Sequence, residues 1–510
     1  MGLGDRHRGP RKTLTYEVIP VLGTGPGDLA LRNAAAATID VRIPRQVEDG
    51  IGTYFNRAVV SSQSFSSEFG KAPSGKKLEA AMDWLANGMQ EAIPDFLETA
   101  SDLEAAIYHL TDRRWVMPAL QKFREAGGRG DLVYYLKPTD DASKAAADML
   151  AGAKFAVHPR TKANIMHDKF IVRRQSGKPQ AVLAGSANFT PEAITAQANV
   201  LHTFASPELA RLYAAREELL RGDPTLAAIA PDGEWSKTIP VEKAKIRVFF
   251  SPESGRTSID AVVKAVEGAK SSVIFCLFSP TDAPLLDALL AAGDEGKIMY
   301  GLLNSIADPT KKRKTEDPTK AGKEASPAAQ VQVTVFNRSR KDRKVVAYNY
   351  FRPGSAPAGF LPEFSAIDTS AWSTNPPPKG AGKKGGGGTP AVHVHHKFLV
   401  IDADTDSPTI YTGSANMSNN SLHNNDENLL EIKDAPALAG AYFAEFMRLY
   451  GHYRARALWN QEHPPATGAA ATAPKKKTGE TLVLKRTRQA WAGKAYQAGT
   501  PEFLSRTRLA

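Results

Sequence analysis

Cysteine is almost absent: Cys276 stands alone in 510 residues, inside the apolar run 273–278. No intramolecular disulfide can form, and the thiol reads as a small buried hydrophobe. No apolar run approaches the roughly eighteen residues that a membrane-spanning helix needs. The N-terminal Met-Gly-Leu-Gly-Asp-Arg-His-Arg has no apolar core for a signal peptide, and Arg6 stands where a myristoylation signal wants Ser or Thr. A soluble, cytoplasmic, monomeric chain is expected. The glycine-rich stretch 23–28 lacks a following Gly-Lys-Ser/Thr, which argues against a P-loop and for a turn. His393 and His396 flank His395, but with no cysteines or matching carboxylate set beside them neither a metal nor another cofactor is expected.

Acidic residues are outnumbered. Lys plus Arg total 65 against 54 for Asp plus Glu, a net charge of +11, which favours an anionic partner: a phosphodiester, a nucleic acid or an acidic membrane surface. Part of the excess lies in a C-terminal tail, at Lys475 to Lys477, Lys485, Arg486, Arg488, Lys494, Arg506 and Arg508, read as flexible to about residue 480.

What the chain does contain is one pattern written twice. His167-x-Lys169 precedes Gly185-Ser186-Ala187-Asn188, and His395-x-Lys397 precedes Gly413-Ser414-Ala415-Asn416, with the Gly eighteen residues after the His both times. Eight of twenty-two aligned positions are identical, including every His, Lys, Ser and Asn able to do chemistry. A 228-residue period is too long for a solenoid and implies a duplicated domain, each copy supplying half of a site.

Both copies share a lead-in. The run 103–110 ending at Thr111-Asp112, then 116–123 and 132–136, matches 273–280 ending at Thr281-Asp282, then 285–290 and 298–303. Each reads as strand, helix, strand, predicting two β-α-β units in parallel sheets flanked by helices. The Thr-Asp pairs lie 170 residues apart but the histidines 228, so 58 residues are inserted in the second copy. The lysine-rich 311–320 and the Pro/Gly-rich 375–388 within it cannot support a core and are read as mobile surface loops. The expected divisions are an N-terminal extension 1–50, domain one 51–240, domain two 241–460 with its insertion at about 305–390, and the basic tail 461–510. The stretch 54–65, mixing aromatics with hydroxyls, reads as a packed strand with a polar edge.

Residues two apart on a strand share a face, so His167 converges with Lys169, and His395 with Lys397. The Gly-Ser turns bring the Ser hydroxyls and the amides of Asn188 and Asn416 beside those faces. Two imidazoles, two ammonium groups and two amides suit a phosphodiester: cations and amides offset charge on the non-bridging oxygens, one imidazole attacks phosphorus, and the other protonates the leaving oxygen.

These motifs resemble the phospholipase D superfamily, whose signature is H-x-K-x4-D followed by G-S-x-N, usually twice. The second copy matches throughout, with Asp402 at the acidic position; the first holds Arg174 there. Over roughly residues 95–455, the resemblance implies an α/β fold of two similar phospholipase D-like sandwich domains packed as a pseudo-dimer, a phosphohistidine intermediate and no required metal. In that family the motif Asp mainly supports local structure. An acid some fourteen positions after the Gly often bonds a catalytic histidine; here that position is Glu427 in the second copy but Asn199 in the first. If this support crosses between domains, Glu427 serves His167, making His167 the nucleophile and His395 the general acid and then base. If it stays within each half, the roles exchange. Ser186, Ser414, Asp402 and Asn199 are expected to support the site, and Asp426 is read as either assisting it or facing solvent.

The family's breadth leaves three readings: a phospholipase D-like enzyme that hydrolyses phospholipid head groups or transfers them to an alcohol, a metal-independent nuclease or nucleic-acid end-processing phosphodiesterase using the basic segments, or a weakly active anion-binding scaffold.

Overall fold

The computed structural model describes residues 12–60, 62–70, 73–136, 141–230, 233–304, 333–337, 346–348, 369–373, 394–462, 487–500, 503 and 506. Both low-complexity stretches of the insertion, His393 and most of the basic tail lie outside the described residues.

The first half contains β1 (Ile51–Phe55), β2 (Asp102–Ile107), α1 (Val116–Glu125), β3 (Arg129–Tyr135), β4 (Ala156–Arg160), β5 (Lys169–Gln175), β6 (Lys178–Gly185), β7 (Val200–Phe204) and α2 (Pro207–Arg221). The second contains β8 (Ala244–Ser251), β9 (Ser272–Phe278), α3 (Ala283–Asp294), β10 (Ile298–Asn304), β11 (Lys397–Ile401), β12 (Thr409–Gly413), β13 (Asn425–Lys433) and α4 (Pro436–Glu462). Across the first sheet the order is β1-β7-β6-β5-β2-β3-β4, and across the second β8-β13-β12-β11-β9-β10, so six strands correspond one to one.

The expected β-α-β units are present: β2 pairs with β3, and β9 with β10, in parallel. The sheets themselves are mixed, which corrects the expectation of parallel sheets. The motif-bearing strands β5, β6 and β7, like β11, β12 and β13, pair antiparallel. Each lead-in ends as a helix cap. Asp112 Oδ1 accepts from the amides of Trp115 and Val116, both at 2.7 Å, and Asp282 Oδ1 from Leu285 at 2.9 Å, filling donors a helix N-terminus leaves open.

Alternation along the motif strands divides the core. Phe170 and Val172 of β5 join Phe398 and Val400 of β11 in one core shared by the two sheets, with side chains of α2 and α4. Ile171 faces a separate core under α1, and Leu399 and Ile401 one under α3. Strands covered on both faces read as unbroken apolar runs. Residues 54–65 are strand only as far as Phe55, with a helix starting at Gln63. Asn56 accounts for the change: its Nδ2 donates to the carbonyl of Gln197 at 2.6 Å and its Oδ1 accepts from the amide of Asn199 at 3.0 Å, bonds that leave the strand ladder.

Before β1, Lys12–Val18 and Ala37–Ile43 form an exposed two-stranded ribbon. At 23–28 the chain turns around Asp28, whose carboxylate accepts from the amides of Thr24 and Gly25. Of the inserted residues, Val333–Asn337 and Val346–Tyr348 extend the second sheet beyond β10. Residues 369–373 touch the first half, where the Arg113 amide donates to the Trp372 carbonyl at 2.7 Å. Among the described residues, no helix is long and apolar enough to cross a membrane.

Candidate active site

His167 and His395 lie just before β5 and β11, not within them, a correction to the strand read from alternation. Each leaves its own sheet for the other half. Ile165 and Met166 pair in parallel with Asn425 and Asp426, and the His167 amide donates to the Asp426 carbonyl at 2.9 Å. Val394 bridges in parallel to Ala198, and the His395 amide donates to the Ala198 carbonyl at 3.0 Å. Lys169 and Lys397 each turn back to donate from Nζ to the carbonyl of their own histidine, at 2.8 Å for Lys397.

The imidazoles are held across the same boundary. His167 Nδ1 is 2.7 Å from Glu427 Oε2, and His395 Nδ1 is 2.8 Å from Asn199 Oδ1. Asn199 Nδ2 donates to the Ala193 carbonyl at 3.0 Å, leaving Oδ1 as the acceptor for His395. With both Nδ1 atoms facing acceptors, the Nε2 atoms are the nitrogens turned to chemistry, that of His395 lying 3.2 Å from Lys397 Nζ. Ser414 Oγ donates to Glu427 Oε2 at 2.7 Å and Ser186 Oγ to Asn199 Oδ1 at 2.9 Å, so the motif serines hold the supporting groups. The preceding glycines permit this approach: a Cβ at Gly185 would meet the Val200 carbonyl oxygen at 2.2 Å, and one at Gly413, where φ is +140°, the Asn428 oxygen at 2.4 Å. Asn188 and Asn416 are half-buried, and among the described residues their Oδ1 atoms have no hydrogen-bond partner.

Two residues missed by sequence reasoning complete the symmetry. The Tyr108 ring lies 5.0 Å from the His167 ring and 5.0 Å from Lys169 Nζ; Phe278 lies 4.9 Å from His395 and 5.0 Å from Lys397 Nζ. Both stand three residues before the Thr-Asp pair, the offset that could have found them.

Burial and clustered positive charge set the electrostatics. Both imidazoles are held well below the usual histidine range, first by burial and then by both lysines. Burial lowers Lys169 to about 7 and depresses Lys397 strongly, while it raises Glu427 to about 7. An anion bound among these groups reverses the penalty on the cations.

Asp426 does not face solvent, a correction to that alternative; its carboxylate bonds neither histidine, while its main-chain carbonyl holds the His167 amide. It is fully buried in an ion cluster with Arg160 and Arg216, because β13 carries Glu427 towards His167 and its neighbours away from it. Asn428 Nδ2 donates to Asp168 Oδ1 at 2.7 Å in the same cluster. Asp402 Oδ1 accepts from the amides of Lys270 and Ser271, both at 2.8 Å, tying the end of β11 to the start of β9. In the first half the Arg174 carbonyl accepts from the Ser101 amide at 3.0 Å, while its guanidinium pairs with Glu104. Among the described residues, no group of three His, Cys, Asp or Glu side chains is placed to hold a metal ion.

Residues 382–450 match the family described as "Cardiolipin synthase, PLD-like domain". No curated protein matches the chain. Among solved structures, phosphatidylserine synthase of Haemophilus influenzae is similar at 11% identity and a TM-score of 0.45, covering 72% of this chain and 85% of that one. Polyphosphate kinase of Porphyromonas gingivalis is similar at 11% identity and a TM-score of 0.40, covering 69% of this chain; the chain spans 42% of the kinase's length. A phospholipase D family member from Salmonella typhimurium, Nuc, is similar at 23% identity and a TM-score of 0.23, covering 25% of this chain and 84% of that one.

Paired α/β halves and a doubled H-x-K, G-S-x-N motif define a phospholipase D-like fold. Residues 382–450 match a phospholipase D-like domain, and the same H-x-K and G-S-x-N residues recur in the first half.

Proposed function

We propose that this protein is a phosphodiesterase that hydrolyses phospholipid head groups, or transfers them to an alcohol, through a phosphohistidine on His167. The observation carrying this reading is the unequal support of the two imidazoles: a carboxylate, Glu427, on His167 and an amide, Asn199, on His395. A carboxylate partner stabilises the positive charge that a nucleophilic imidazole acquires, whereas an amide leaves its imidazolium readier to release a proton.

In the first step His167 Nε2 attacks phosphorus, the bond to the leaving oxygen breaks, and His395 delivers its proton to that oxygen. In the second, His395 takes a proton from water or an alcohol whose oxygen attacks phosphorus, breaking the P–N bond. Lys169, Lys397, Asn188 and Asn416 offset charge on the non-bridging oxygens. The lipid assignment draws on the matched family's description, and the net charge of +11 favours the second reading, a nuclease.

The test compares phosphatidylcholine vesicles with single- and double-stranded DNA as substrates for wild type, His167→Ala and His395→Ala. Head-group release lost in both variants supports the lipid reading. DNA cleavage alone transfers the conclusion to the nuclease. Labelled phosphate trapped on His395→Ala but not on His167→Ala identifies the nucleophile, and the opposite pattern exchanges the roles.

A further inference from the structure

A cavity of about 340 Å³ lies away from the catalytic pair, where the segment 42–49, β1, the turn before β8 and the first turns of α4 meet. We infer that this cavity binds a single-chain anionic amphiphile of the fatty-acid carboxylate class. Its volume lies within the range of small-molecule pockets, roughly 300–1,000 Å³.

The wall is largely apolar, built from Ile51, Phe55, Val241, Ala244, Leu438 and Ala441. Behind it the Phe55 ring packs edge-on to Tyr442 at 5.0 Å and near His396 at 5.8 Å. Thr53, a hydroxyl on the lining, already bonds His202 Nδ1 at 3.2 Å. An alkyl chain against these apolar side chains leaves no polar group of its own unpaired, while Gln46, Asn87 and the charged residues of the lining remain for a head group.

Charge selects the head group. Arg42 pairs with Glu48 at 2.6 Å and Asp434 with Lys245 at 2.8 Å. Of the remaining charged lining residues Arg45, Lys243 and Asp49, none is in an ion pair among the described residues; all are exposed, and together they leave one positive charge in surplus. The N-terminus of α4, at Pro436 and Ala437 on the lining, adds partial positive charge. A monoanion on an apolar chain answers both features.

Isothermal titration of the full-length protein with dodecanoate below its micelle concentration tests this directly. Saturable binding of one dodecanoate per chain is expected, weaker binding of dodecanol, loss in Ala441→Trp, which fills the cavity, and about tenfold weakening in Arg45→Glu/Lys243→Glu. An unchanged melting temperature and circular dichroism spectrum in Ala441→Trp exclude misfolding, and Ile51→Trp provides a second filling variant if it misfolds. No saturable binding by wild type, unchanged binding in a folded filling variant, or equal binding of dodecanol overturns the inference. So does binding that emerges only after residues 1–11 are deleted, which makes that segment the occupant. This inference stands independently of the proposed function.

Discussion

Arg160 grips Asp426 through two hydrogen bonds, Nε to Oδ2 at 2.8 Å and Nη2 to Oδ1 at 3.2 Å, with both side chains fully buried. The arginine comes from β4 of the first half and the aspartate from β13 of the second, one residue before Glu427. Because alternate strand residues face opposite ways, anchoring Asp426 and Asn428 beneath the site sets Glu427 above it.

Removing one partner of a buried pair leaves the other charge uncompensated. Asp426→Ala should cost about 3–5 kcal/mol, read as a lowered urea midpoint. A loss under about 1 kcal/mol would show that the cluster does not hold the halves together.

Glu427→Gln keeps the shape of the support but removes its charge. Turnover should fall about 10²–10⁴-fold, by analogy with loss of the carboxylate behind a catalytic histidine, while Asn199→Ala should lose considerably less. Steady-state rates on one phosphodiester decide between this order and its reverse.

Activity against pH should form a narrow bell. Glu427, raised to about 7, must be ionised to support His167, so activity falls as pH drops below that value; Lys169, lowered to about 7, must be protonated, so activity falls above it. These are properties of a coupled pair, and kcat/KM profiles report them jointly. Lys169→Arg, charged throughout, should leave an alkaline limb set by Lys397, whose proton burial also loosens.

Stability should move in the opposite sense. Glu427 titrates higher in the folded chain than its ordinary 4.5, so between about pH 4.5 and 7 the folded state holds the extra proton and its contribution to stability declines as pH rises. Urea unfolding of Glu427→Gln across that window should show a shallower decline than wild type.

Asp402→Ala removes the acceptor of backbone amides at the start of β9 and should cost about 1–3 kcal/mol. Arg174→Ala should cost less, because at that place the first half uses a main-chain carbonyl that every residue carries. Paired denaturation curves make the comparison.

Much of this arrangement was legible from spacing alone. The runs that became β2, β3, β9 and β10 needed no partner to be noticed, whereas Glu427 stands out through the resemblance to the phospholipase D superfamily. The direction of β5 and β11 did need a partner, because an apolar strand covered on both faces has no polarity in its residue pattern. Asp426 could not be placed from its neighbours, since its arginine lies 266 residues away. Tyr108 and Phe278 read as core residues because each adjoins an apolar run. Only the fold reveals that their rings meet the histidines and lysines.

The bond between His167 and Glu427 spans 260 residues of chain. At roughly 5–20 residues per second, a ribosome needs about 10–50 s to pass from one partner to the other. Throughout that interval the first half exists with its histidine made and its carboxylate unmade, and a product cut short before residue 427 never acquires it.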